Sequence, residues 1–162
     1  MTDILTVKDV SFSFGDKAVL NNVSLEVQKG EIVSILGPSG VGKSTLFNLI
    51  AGILPLQKGA IEVDDAPISF GKVSYMLQKD LLLEHKTVLG NIILPLQLKK
   101  IPKEEATSTA LKLLDEFKLG SIANLYPNAL SGGMRQRVAL LRTYLLGLSL
   151  IHISEPTRRS YI

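Results

Sequence analysis

Residues Gly37 to Thr45 read GPSGVGKST and fit the pattern G-x-x-x-x-G-K-[ST]. The chemistry such a stretch offers is phosphate binding. Glycines let the backbone curl so that successive N–H groups converge on phosphate oxygens. The curl runs through Gly37, Pro38, Ser39, Gly40, Val41 and Gly42, and the candidate donors are the amides of Gly40, Gly42, Lys43, Ser44 and Thr45. A helix starting here adds the positive end of its dipole. Lys43 then reaches the β- and γ-phosphates as a point charge, and the Ser44 hydroxyl is a candidate Mg2+ ligand. A chance glycine-rich turn would not need a strand before it and a helix after it, and the sequence supplies both.

Two further stretches carry candidate chemistry. LSGGMRQR, Leu130 to Arg137, puts Ser131, Gly132 and Gly133 ahead of a helical run. Taken alone, this serine and its glycines are equally well an N-cap on a flexible turn. LSLIHISEPTRR, Leu148 to Arg159, is an apolar run that ends on Ser154, Glu155 and Pro156. It has the pattern of a buried strand delivering a carboxylate.

The elements that must position these residues follow from periodicity. ILTVKDVSFSF and VLNNVSLEVQ alternate with period two and lie close together in sequence, which predicts an antiparallel pair. GEIVSILG is more continuously apolar and predicts a strand buried on both faces, as in a parallel sheet. Leu46, Leu49, Ile50 and Ile53 recur at helical spacing after the glycine-rich loop. GAIEVDD and GKVSYML read as further strands. Between Glu84 and Pro127 the character turns helical. PKEEATSTALKLLDEFKLG sets Ala106, Ala110, Leu113, Leu114 and Phe117 on one face, with acids in the first turn and Gly120 past the end. No internal repeat and no low-complexity linker is present.

The bulk numbers set bounds. With 162 residues, 46% of them hydrophobic and 20% charged, the chain has the balance of an ordinary globular domain with a sizeable core. Its net charge of +3 is too small, and its Lys and Arg too dispersed, to argue for nucleic acid. The absence of cysteine excludes a disulfide scaffold and thiolate metal sites. The N-terminus lacks the basic and apolar regions of a signal peptide, and no apolar run is long enough to span a bilayer.

Taken in order, the phosphate loop, the helical insertion and LSGGMRQR resemble the ATP-binding subunits of ABC transporters over about residues 3 to 147. The resemblance implies an α/β P-loop NTPase core with an antiparallel β flank and an inserted helical subdomain. It implies ATP and Mg2+ as cofactors, and two subunits that close head to tail on ATP. Ser131, Gly132 and Gly133 of one subunit would then touch the γ-phosphate held by the other. Phe14, just before Gly15, matches the aromatic that stacks on adenine. Gln78, following a strand, matches the glutamine that contacts Mg2+ and the attacking water. KDLLLEHKTVLGNIILPL would form part of the groove that receives the permease. The resemblance further implies transmembrane permease partners, a solute-binding protein acting indirectly, and a peripheral place on the cytoplasmic side of the membrane. In style it is closest to importers of nitrate, sulfonates, taurine or pyrimidine-type vitamin precursors.

The family carries Asp-Glu-Pro after the strand that follows the signature helix. Counting from Leu130, the Asp position falls on Ser154 and the Glu on Glu155, the matching catalytic base. Serine brings no charge to Mg2+. Two readings stand: a divergent catalytic strand, or a non-native tail on an incomplete copy. The second is favoured, because SLIHISEPTRRS resembles a translated adaptor and no later Asp or His follows. It carries the expectation of nucleotide binding without efficient turnover. The segmentation that results is residues 1–84 for the β flank and phosphate-loop part, 85–129 for the helical subdomain, 130–147 for the signature and its helix, and 148–162 for the tail. The competing functions are a nucleotide-binding module without efficient hydrolysis and a soluble, non-transport ABC ATPase.

Overall fold

The computed structural model describes residues 3–77, 79–145 and 149–152, the last four by their backbone alone. The chain divides into two compact units, one of residues 1–73 and one of residues 74–152.

In the first unit, β1 (Asp3–Phe14) and β2 (Lys17–Gln28) form the expected antiparallel pair, closed by a two-residue turn at Gly15 and Asp16. β3 (Lys58–Val63) pairs antiparallel with the other edge of β1, and the short β4 (Ala66–Pro67) pairs with β3. The sheet order is β2-β1-β3-β4. Alternation drives the packing: Val7, Val10, Phe12, Leu20, Ile61 and Val63 are buried while their neighbours along the strands are more exposed. α1 (Lys43–Ile50) buries Leu46, Leu49 and Ile50, three of the four positions that its periodicity singles out. Ile53 lies past its end and is half exposed.

The strand expected at GEIVSILG does not form. Residues 31–38 join neither of the ladders, and Ile32 and Leu36 are 92% and 90% exposed. A strand buried on both faces needs hydrogen-bonding neighbours on both edges and packed layers on both sides. Among the described residues nothing supplies them, so an apolar run alone does not make a strand here.

The second unit opens with β5 (Val73–Met76), which pairs with β6 (Ser149–His152). Helices fill the space between: α2 (Val88–Ile92), α3 (Leu94–Leu98), α4 (Lys103–Glu116) and α5 (Gly132–Tyr144). Their apolar faces meet in one core built from Val88, Ile92, Leu96, Ala106, Ala110, Leu114, Val138 and Leu141. α4 buries Ala106, Ala110, Leu113 and Leu114 as its spacing predicts, and Glu104 and Glu105 stand in its first turn. Phe117, expected on the same face, is the C-cap instead and is part exposed. The left-handed residue after the helix is Lys118, at φ +56°, rather than Gly120. Gly120 starts a short 3-10 turn two residues later.

Candidate functional site

The phosphate loop rests on β2. A Cβ at Gly42 would come within 2.9 Å of Leu20 Cδ2 and 3.1 Å of the Val19 carbonyl oxygen, and φ at Gly42 is +105°. Both conditions demand glycine. Gly42 caps α1 without any side-chain hydrogen bond to the helix. The Leu46 amide bonds back to the Gly42 carbonyl at 2.9 Å. Helix geometry therefore leaves the amides of Lys43, Ser44 and Thr45 with no intrahelical acceptor, at the positive end of the dipole. The Val41 amide closes a turn onto the Pro38 carbonyl at 3.4 Å. Lys43 folds over the loop, its Nζ donating to the carbonyls of Gly37 at 2.7 Å and Pro38 at 2.8 Å. An ammonium has three N–H donors, so one is left for a third oxygen. Bare amides, a dipole end and a tethered ammonium make a seat for an anion of phosphate size.

That seat fits the phosphates of ATP. For Mg2+ the described residues offer the exposed hydroxyl of Ser44 at the start of α1. No group of three or more Asp, Glu or His side chains able to hold a metal occurs among them. A magnesium ion here would thus take its other oxygens from phosphate and water, its usual habit beside nucleotides.

Phe14 ends β1 immediately before the hairpin turn. Its ring is 54% exposed and stands edge-on against the buried Phe12, with centroids 4.9 Å apart and planes at 78°. The same hairpin carries Val19 and Leu20 under the phosphate loop, so β2 links Phe14 and the loop within one unit.

Ser131 is the N-cap of α5, and its Oγ accepts from the Met134 amide at 3.3 Å. Gly132 and Gly133 lie inside the helix's first turn rather than in a preceding loop. Neither has a positive φ, and added Cβ atoms would meet nothing within 4 Å. Gln78 and Glu155 lie outside the described residues, as do the side chains of the tail.

The structure adds a polar cluster that sequence reasoning missed. Arg135 of α5 reaches Asp80 through Nε at 3.0 Å and Nη2 at 2.9 Å, and Glu84 through Nη2 at 2.6 Å. Arg142, about two turns further along the same face of α5, donates to the backbone carbonyls of Leu81 at 2.8 Å and Asp80 at 2.8 Å. Leu81 has φ +46° and a half-exposed side chain. The hydrogen bond from Arg135 holds the Asp80 carboxyl below its ordinary range, and the Leu82 amide adds to this. Burial lowers the affinity of Arg142 for its proton. The sequence shows Arg135 and Arg142 seven residues apart on one helix, but nothing local indicates that residues 80–84 meet them.

No helix among the described residues is long and apolar enough to cross a membrane. The chain is 42% identical over 155 residues to the formylaminopyrimidine import ATP-binding protein of Halalkalibacterium halodurans, covering 95% of this chain and 61% of that protein. It is 37% identical over 155 residues to the taurine import ATP-binding protein of Yersinia pestis, covering 94% and 61%. It thus spans about 60% of the length of these relatives. Among solved structures it resembles CbiO1 of Clostridium perfringens, described as part of the ABC transporter complex CbiONQ, at a TM-score of 0.84 and 25% identity. That likeness covers 94% of this chain and 65% of the other. Another, described as an ATP binding subunit of an ABC transporter, gives a TM-score of 0.80 at 28% identity, covering 92% and 65%. The sequence profile of the ABC transporter family matches residues 20–158, through the phosphate loop, the signature serine and glycines, and into the segment that resembles an adaptor. With that match spanning most of its length, the chain belongs to the ABC transporter family and has the α/β fold of its ATPases.

Proposed function

We propose that this chain is the ATP-binding and ATP-hydrolysing subunit of an ABC importer for a small solute. The observation that carries the reading is the phosphate loop: a glycine-restricted turn packed on β2, three helix-start amides without intrahelical acceptors, and Lys43 tethered across the mouth. In this reading the amides of Gly40, Gly42, Lys43, Ser44 and Thr45 hold the phosphates and Lys43 neutralises β- and γ-oxygens. Ser44 contributes a hydroxyl to Mg2+, which supplies charge neutralisation when bound. Phe14 stacks on adenine. Gln78 orients water, and Glu155 polarises it; this takes the segment ending at Glu155 as a divergent catalytic strand rather than a non-native tail, a choice supported by the family match running to residue 158.

Ser131, Gly132 and Gly133 contact the γ-phosphate bound by a second copy or a paired subunit. Glycine loses more conformational freedom on folding than any other residue, at a cost of about 0.5–1 kcal/mol against alanine in the middle of a helix. Among the described residues no strained φ and no crowding explains two of them in the first turn of α5. A group approaching closely from another chain does. ATP thereby joins two subunits, and its hydrolysis releases them, moving permease subunits at the cytoplasmic face of the membrane. The solute is of the nitrate, sulfonate, taurine or pyrimidine-type vitamin-precursor kind; its taurine and pyrimidine members are supported by the two relatives, which import taurine and formylaminopyrimidine.

Nucleotide titration with a parallel assay of phosphate release tests this. ATP is expected to bind, and Lys43→Ala to weaken binding at least about tenfold, the equivalent of roughly 1.4 kcal/mol. Glu155→Gln is expected to abolish release while sparing binding. Unchanged affinity in Lys43→Ala would sink the reading. Binding without release in the unaltered chain would replace it with a nucleotide-binding module. Co-purification with a permease separates transport from a soluble ATPase role.

A further inference from the structure

The β1–β3 ladder ends early, and a side chain finishes it. Its last register pair is Ser11 with Lys58. A continued antiparallel ladder would set Ser13 opposite Leu56, but the backbone at Leu56 is no longer strand. In an antiparallel pair, successive residues send their N–H and C=O groups to opposite edges. Phe14 faces Lys17 across the hairpin turn, so the polar groups of Ser13 point to the edge that β3 has left. There the amide of Gln57 meets both. Its Oε1 accepts from the Ser13 N–H at 2.8 Å, and its Nε2 donates to the Ser13 carbonyl at 2.9 Å. One side chain thus supplies a full two-bond ladder rung, and only one orientation of the amide satisfies both contacts.

We infer that Gln57 is a positioning residue for the nucleotide base. The rung pins the strand end that bears Phe14 on the side opposite the hairpin. Phe14 is 54% exposed, and among the described residues its one aromatic contact is the edge-on ring of Phe12. Where the ring stands is therefore set by the backbone at Ser13 and Phe14. Loss of the rung frees this end to fray, and the ring no longer offers a fixed face for stacking. The phosphate loop rests on Val19 and Leu20, past the Phe14–Lys17 pair on the other edge of β1 from Gln57, so loss of the rung falls on the base contact far more than on the phosphate contact. The inference rests on the stacking role proposed for Phe14.

The test compares ATP with inorganic tripolyphosphate, which carries the phosphates and no base. Affinities of the full chain for each are measured in a double-mutant cycle of Phe14→Ala and Gln57→Ala. Phe14→Ala is expected to weaken ATP about tenfold, in line with the worth of base–aromatic stacking, and to leave tripolyphosphate unchanged. Gln57→Ala is expected to weaken ATP about fivefold with tripolyphosphate unchanged, and to add nothing once Phe14 is gone. Gln57→Glu keeps the acceptor for the Ser13 amide but turns a second acceptor toward the Ser13 carbonyl, so it should weaken ATP at least as much as Gln57→Ala. Equal weakening of both ligands by Gln57→Ala, or additive losses in the double variant, would show a general structural role and overturn the inference. If Phe14→Ala leaves the ATP-to-tripolyphosphate ratio unchanged, the stacking role itself is wrong and the inference falls with it. If Phe14→Ala shifts the ratio and neither Gln57 variant does, only the inference falls.

Discussion

Gly42 illustrates how a single residue serves both fold and site. Its backbone is left-handed, and the space where a Cβ would stand is taken by Val19 and Leu20. Gly42→Ala is therefore expected to cost about 3 kcal/mol, the sum of left-handed strain and overpacking, and to weaken ATP binding because the loop is pushed off β2. Gly40 is the control. It too has a positive φ, but open space surrounds it, so Gly40→Ala should cost only about 1 kcal/mol. Thermal melts with nucleotide titration compare the two, and equal losses would refute the role given to β2. Asn91 in α2 is a second case. It is fully buried; its Oδ1 accepts from the Leu83 amide at 2.7 Å, and its Nδ2 shares two protons among the carbonyls of Leu83, Lys86 and Thr87. Asn91→Ala strands these groups and should destabilise by about 3 kcal/mol in denaturant unfolding. A loss under 1 kcal/mol would show that water replaces the amide.

At the scale of elements, α5 is fixed at its start by Ser131 and along its length by arginines. Removing the cap with Ser131→Ala should cost about 1 kcal/mol of stability, a change separable from any loss of activity by melting the chain without nucleotide. The Arg135–Asp80 pair joins α5 to the segment after β5 and makes stability depend on acid. The carboxyl of Asp80 is held below its ordinary value in the fold. Its contribution is thus fully present above the unfolded value, near pH 4, and is lost as pH falls through the lower folded value. Asp80→Asn should therefore narrow its stability gap to the parent as pH drops from about 5 to 2. A gap independent of pH over that range would mean that the pair contributes nothing through charge.

For the whole molecule, the division into two units places the phosphate loop in one and the signature residues in the other. If Ser131–Gly133 act on the ATP of another subunit, the two halves of the site respond to different variables. Hydrogen exchange measured with ATP is expected to show protection of residues 37–45 at any protein concentration. Protection of residues 131–135 should appear only as concentration rises and subunits pair. Protection of both segments at high dilution would contradict a site completed in trans.

Much of this was legible in the residues themselves. Period-two alternation gave β1 and β2, helical spacing gave α4 and most of its buried face, and the loop pattern gave the glycine turn and the helix start at Lys43. These are local: each depends on contacts a few residues apart or on the intrinsic freedom of glycine. What tertiary structure alone decided is non-local. Residues 31–38 are as apolar as any core strand, yet form none because a buried strand is made by its neighbours. Asp80 meets Arg135 across 55 positions of sequence, and Gln57 meets Ser13 across 44. No spacing rule reaches that far. The sequence by itself determined which residues are candidates to hold a nucleotide; folding determined which other side chains hold those residues in place, because that depends on where separate segments of the chain are brought side by side.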